Sequence, residues 1–161
     1  MQRERVRVDL RLTSSAFPAG GIIPPRHTCD GENISPPLTW ANVPEETESL
    51  ALIVDDPDAP NRPWSHWVLY NIPAGINHLP PHVLGGETLP WGGMQGRNEQ
   101  GSVQYEGPCP PPGSIHDFYF RLYALDRRLD LAPGATRAQL IDSMEGHILI
   151  STELIGRYGR P

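Results

Sequence analysis

Apolar and polar positions alternate or cluster at several places along the chain, and each pattern predicts an element. Arg5 to Leu12 reads Arg-Val-Arg-Val-Asp-Leu-Arg-Leu, a period of two that predicts a strand with one wet face. Pro36-Pro37-Leu38-Thr39-Trp40 predicts a short strand. Ser49 to Asp55 holds the unbroken apolar run Leu50-Ala51-Leu52-Ile53-Val54, which predicts a strand covered on both faces. Trp64 to Ile72 is aromatic and β-rich, and strict alternation assigns Trp64, His66, Val68 and Tyr70 to one face. His116 to Leu125 alternates most regularly, with His116, Phe118, Phe120, Leu122 and Ala124 on one face and Asp117, Tyr119, Arg121 and Tyr123 on the other. Thr136 caps a predicted helix over 137–145, with Leu140, Ile141 and Met144 at helical spacing, and Gly146 ends it. His147 to Arg157 reads as a final strand, with an extension of the helix as the alternative. Residues 13–39 and 73–104 are rich in Gly and Pro and show no period. The first is read as a long irregular entry, the second as a functional cover or irregular edge with short strands.

These elements sum to a mainly β, antiparallel sandwich with one or two short helices. A length of 161 residues without repeat or linker gives a single domain, 1–161, large enough for a real core. A hydrophobic content of 38% fits a globular chain. No run approaches the roughly 18 to 20 apolar residues of a membrane helix. The charged start, Met1-Gln2-Arg3-Glu4-Arg5, has no apolar signal core, so a cytoplasmic location is expected. No basic amphipathic helix or lipidation motif supports stable membrane attachment. The net charge of −6 argues against a nucleic-acid footprint, although every one of the 13 basic residues is arginine. Cys29 and Cys109 are too few for a disulfide framework. In a reducing cytoplasm they are expected as thiols, with a Cys29–Cys109 bridge as the alternative.

Candidate chemistry gathers at two proline-stiffened turns, each followed by a histidine that opens a strand. The first is Asp56-Pro57-Asp58-Ala59-Pro60, followed by His66. The second is Gly107-Pro108-Cys109-Pro110-Pro111-Pro112-Gly113, followed by His116. Pro57 and Pro60 fix φ and restrict the residues before them, so the turn sets the directions of Asp56 and Asp58. Taken singly, such an Asp is more often a turn cap, and such a His a hydrogen-bonded core residue. Taken together, two histidines beside a carboxylate suit an anion, because the carboxylate raises the imidazole pKa and favours its charged form. Glycines in the second turn let an anion approach the main chain, with N–H donors at Gly107, Cys109, Gly113 and Ser114. The turn lacks the Gly-Lys-Ser/Thr end of a Walker loop.

Several segments, in order, carry a resemblance: Thr28-Cys29-Asp30-Gly31, Ser35 to Trp40, Asp56 to Pro60, His66 to Pro73, Tyr105 to Gly113, Leu122 to Asp126, and Gly146 to Leu149. With them the chain resembles the phosphatidylethanolamine-binding protein family, whose animal members include the Raf kinase inhibitor protein, and most of all its bacterial and archaeal branch. The resemblance implies a large central antiparallel sheet, a second smaller sheet and few helices. It implies a pocket for phosphate-like headgroups built from Asp56, His66, Gly107, Cys109, Pro110 and His116, with Asp58, Pro57, Pro60 and Phe118 in support. It also suggests a homodimer. The chain departs from the family pattern at Asp117, where Arg is common, at Phe118, where Tyr is frequent, and at Asn98-Glu99-Gln100-Gly101. The long C-terminal helix of the animal proteins is not expected.

The function this implies is a non-enzymatic binding protein for a small phosphate- or carboxylate-bearing ligand, acting as a regulator on a protein partner such as a kinase or protease. It requires no cofactor and no metal. The alternative is a hydrolase in which Asp56, His66 and His116 hold a metal or form a His–Asp pair. A third reading makes both histidines buried core residues.

Overall fold

The structure is a computed structural model and describes residues 9–59 and 64–161. The first residues of the expected strand at 5–12, and Pro60 of the first turn, lie outside them. Eight strands, one α-helix and one 3₁₀ turn (Pro25–His27) are present among the described residues. Strands β1 (Arg11–Thr13), β2 (Leu38–Ala41) and β5 (His78–Leu79) form a small sheet in the order β1-β2-β5. Strands β3 (Ser49–Asp56), β4 (Trp64–Pro73), β6 (Met94–Gln95), β7 (Ile115–Leu125) and β8 (Ile148–Gly159) form the large one in the order β6-β4-β3-β7-β8. Every strand pairing is antiparallel.

The apolar run of β3 is explained by its place. It lies between β4 and β7 and is covered on both faces, so all eight of its residues are buried. On one face Leu50, Leu52 and Val54 join Trp67, Leu69, Phe118, Phe120 and Leu122 against Leu12, Leu38, Trp40 and Leu79 of the small sheet. On the other, Ala51, Ile53, Val68 and Tyr70 pack under Leu129, Ala135 and helix α1 (Arg137–Met144), through its Leu140 and Met144. Burying each such Leu or Phe side chain contributes about 1.5–3 kcal/mol. Thr136 caps α1 in a reciprocal box with Gln139, as the sequence predicts. Gly146 then adopts φ +81°, a left-handed conformation that glycine takes without a Cβ penalty, and the chain enters β8 as a strand rather than prolonging the helix.

Strict alternation fails in β4, and the failure is informative. Val54 pairs with Trp67 while the next residue, Asp55, pairs with Ser65, so His66 is an extra residue in a β-bulge. A second irregularity occurs at Asn71, at φ +50°, where Leu50 and Leu52 face Ile72 and Leu69. The single face expected for Trp64, His66, Val68 and Tyr70 is therefore divided. Val68 and Tyr70 point to the α1 side. His66 meets Phe118 on the small-sheet side.

The two cysteines also depart from expectation. Cys29 and Cys109 form a disulfide, with Cα atoms 5.4 Å apart, instead of remaining thiols. The chain brings them together because Cys29 N–H donates to the Pro108 carbonyl and Gly107 packs on the backbone of residues 27–28. The expectation of thiols rested on a reducing compartment, and the residues gave no sign of this proximity. No helix of the described residues is long and apolar enough to cross a membrane.

Candidate functional site

The bulge in β4 and the start of β7 place His66 and His116 on either side of Phe118. The His66 ring lies edge-on to Phe118 at 5.3 Å between centroids, and the His116 ring is stacked with it at 6.3 Å. Phe118 is fully buried and supports both rings from beneath.

Each imidazole is held by its Nδ1. His66 Nδ1 donates to the Glu106 carbonyl at 2.6 Å, and the Glu106 N–H donates to the His66 carbonyl at 3.0 Å, so ring and main chain are fixed by one residue. His116 Nδ1 donates to Asp56 Oδ2 at 2.6 Å. The other carboxylate oxygen, Oδ1, accepts the Asp58 N–H at 2.9 Å, and Asp58 Oδ2 accepts the Asp117 N–H at 3.0 Å. Asp58 therefore ties the first turn to β7. With both Nδ1 atoms engaged, neither Nε2 atom has a partner among the described residues.

The electrostatics differ from the sequence expectation at His66. Burial lowers its pKa, and the bond to Glu106 and the nearby Asp56 charge only partly offset that. His66 is therefore neutral near pH 7. With Nδ1 protonated, its Nε2 is a lone-pair acceptor. His116 is less buried and touches the carboxylate directly, and its Nε2–H donates whenever the ring is protonated.

The second turn contributes shape more than donors. Gly107 N–H is bound to Asn33 Oδ1 at 2.8 Å, Gly113 N–H to the Arg160 carbonyl and Ser114 N–H to the Pro111 carbonyl, so three of the four expected main-chain donors are occupied. Gly107 is required for a steric reason: a Cβ there would stand 2.2 Å from the His27 carbonyl oxygen. Pro110 is buried, whereas Cys109 is exposed and carries the disulfide. Pro57 is exposed at the head of the first turn. The departure at Asp117 is compensated. Its carboxylate turns away from His116 and accepts from Arg157 Nε at 3.0 Å on β8.

Two residues of this region escaped the sequence reading. Tyr158 is the cross-strand partner of His116, and its hydroxyl donates to Asp30 Oδ2 at 2.6 Å, which raises the phenol pKa. Arg160 reaches Asp30 Oδ1 at 3.1 Å. The final strand runs beyond the expected end at Arg157, and β7 alternation carried one residue further into β8 would have revealed Tyr158. Asp56, His66 and His116 do not form a metal cage. Asp56 and both Nδ1 atoms are committed to internal bonds, and among the described residues no three His, Cys, Asp or Glu side chains gather to hold a metal ion. Ser65, next to His66 in sequence, lies on the far side of the sheet beside Arg137. Two clefts, of about 420 and 410 Å³, lie elsewhere, and neither is lined by His66 or His116.

Residues 13–159 match the family model described as "Phosphatidylethanolamine-binding protein". The chain is 53% identical to the "UPF0098 protein" of Methanothermobacter thermautotrophicus, over 94% of this chain and 99% of that one. It is 43% identical to a UPF0098 protein of Pyrococcus abyssi, over 91% and 84%. Among solved structures it is similar to a putative phosphatidylethanolamine-binding protein homolog from Chlamydia trachomatis (39% identity, TM-score 0.87, 95% and 99% covered). It is also similar to E. coli YbcL, described as a new member of the mammalian family (33% identity, TM-score 0.88, 96% and 100% covered).

Proposed function

The chain belongs to the phosphatidylethanolamine-binding protein family, and on that premise we propose that it is a non-enzymatic receptor for a small phosphate-bearing group held between His66 and His116. The observation that carries this reading is the pair of Nε2 atoms left free while both Nδ1 atoms are anchored. A partner must donate to the Nε2 of neutral His66, and the same group must also meet the Nε2 of His116. A monoprotonated phosphate ester supplies both, through its P–OH and its anionic oxygens. A phosphoethanolamine-like headgroup adds an ammonium as a further donor. Neutral His66 selects for a ligand with a proton to give, which a fully ionised carboxylate lacks. Asp56 keeps His116 oriented, and Phe118 is the apolar floor. A role as a regulator docking on a kinase or protease is the further step of this reading and follows the family likeness.

The test is an NMR titration of the full chain with inorganic phosphate, phosphoethanolamine and acetate. His116→Ala and His66→Ala are each expected to weaken phosphate at least tenfold, as loss of a charge-assisted or buried hydrogen bond implies. Unchanged affinity in both variants would refute the site, and acetate binding as tightly as phosphate would refute the donor requirement at His66.

A further inference from the structure

Ser65 and His66 are neighbours in sequence, but the bulge sends them to opposite sides of the large sheet. On the α1 side, Ser65 borders a cleft of about 410 Å³ whose wall includes Arg97, Asn98, Glu99, Thr136 and Arg137. Ser65 is 1% exposed, and its hydroxyl has no hydrogen-bond partner. Buried polar side chains are nearly always satisfied, so an unpaired one bordering a polar cleft marks a place where a partner from outside fits.

The surrounding groups say what kind of partner. Arg97 is exposed, and among the described residues its guanidinium is engaged through Nη1, by the Gly101 carbonyl at 3.1 Å. Arg137 is locked by Asp55, which accepts from its Nε at 3.0 Å and from Nη2 at 2.8 Å, so its remaining donors are pre-oriented. Arg121 also offsets the Asp55 charge, at 3.7 Å. The eight-residue helix α1 starts at this wall. Its capping box occupies the N–H groups of Thr136 and Gln139, and the parallel bridge between Arg97 and Thr136 engages the Arg137 N–H with the Arg97 carbonyl, which leaves the Ala138 N–H at the positive end of the helix dipole. Glu99 is the cleft's own carboxylate. Its main-chain N–H is bound to the Ser65 carbonyl at 3.0 Å, and since Asp55 already neutralises Arg137, Glu99 and Arg97 share the cleft.

We propose that this cleft is a second ligand site, separate from the histidine pair, which takes a small phosphate-bearing molecule through the Ser65 hydroxyl, the Arg97 guanidinium and the Ala138 N–H at the start of α1. The volume fits a phosphorylated metabolite rather than a macromolecule. No chemical step is involved, since Ser65 has no base beside it.

The experiment follows the backbone amides of the full chain during titration with inorganic phosphate. Two sets of resonances are read: Ser65, Arg97 and residues 136–138 for the cleft; His66, Glu106 and His116 for the histidine site. The cleft set is expected to saturate with a Kd that His116→Ala leaves unchanged, that Arg97→Ala weakens about tenfold or more, and that Ser65→Ala weakens severalfold. Arg97 is exposed and Ser65→Ala removes an unsatisfied group, so both variants should fold. A cleft set that does not move, that moves equally in both variants, or that disappears in His116→Ala would overturn the proposal. Because the two sets are read separately, failure here leaves the histidine site standing, and the reverse also holds.

Discussion

Breaking the Cys29–Cys109 bridge is expected to be among the most damaging single chemical changes this fold can suffer without touching its core. The two residues are separated by 80 positions, so the bridge closes the whole stretch from β2 to β6 into one ring. In the chain-entropy treatment, closing a ring of that size removes about 4.5 kcal/mol of freedom from the unfolded ensemble at 25 °C. At about 2–4 °C per kcal/mol for a chain this long, that is a fall of roughly 10 °C or more in Tm. The assay is urea unfolding followed by tryptophan fluorescence, with and without reductant, beside the double variant Cys29→Ser, Cys109→Ser. Reduction should lower the midpoint to that of the double variant. It should also steepen the denaturant dependence, because the opened chain exposes more surface. The double variant itself should not respond to reductant. Coincident curves for oxidised and reduced protein, or two reactive thiols in protein unfolded without reductant, would refute the reasoning and restore the thiols that composition suggested.

Three further outcomes follow from the same geometry. Burial lowers the pKa of both His66 and His27, so the unfolded chain takes up protons first as pH falls. Stability should be level above about pH 7 and decline below the ordinary histidine value of 6.5, and His66→Gln should flatten part of that slope in urea midpoints measured from pH 5 to 8. Gly107→Ala puts a Cβ against the His27 carbonyl and the Thr28 Cα, so backbone must move. A loss of about 1–3 kcal/mol is expected, with shifts in the His66 and Glu106 amides. Arg137→Ala leaves the buried Asp55 carboxylate with Arg121 alone at 3.7 Å and should cost about 2 kcal/mol, discounted for the part of Arg137 that solvent reaches, as read by urea unfolding.

Much of this architecture is written in side-chain order. Leu50 to Val54 announces a central strand because five consecutive apolar residues need cover on both faces, which β3 has. His116 to Ala124 alternates without interruption, and β7 keeps His116 and Phe118 on one face as read. Thr136 and Gly146 bracket the helix because capping is local chemistry. The two-residue strands β5 and β6 left no such trace, since their pairing is decided by β2 and β4 rather than by their own sequence. The bulge was equally invisible. Nothing in Ser65-His66-Trp67 says that one residue is surplus, and the partner Val54-Asp55 lies ten positions away. The sequence therefore identified His66 and His116 as a pair but gave His66 the wrong neighbours, and it passed over Ser65 and Arg97, whose cleft exists only once β4 and α1 meet. The backbone donors of the second turn looked available because a sequence lists N–H groups without saying which are already bound, as Gly107 is to Asn33.

That surplus residue also separates ancestry from binding. Deleting one residue at the bulge would restore regular pairing between β3 and β4 from Leu52 to Asp56, leave Val68, Leu69 and Tyr70 on their present sides, and disturb few apolar contacts. Only the imidazole would be lost from its place beside Phe118. On the proposed reading, a relative shorter by one position between Ser65 and Trp67 would inherit the sandwich and lack the histidine site, so an aligned gap at this point is the place to test that reading across the family.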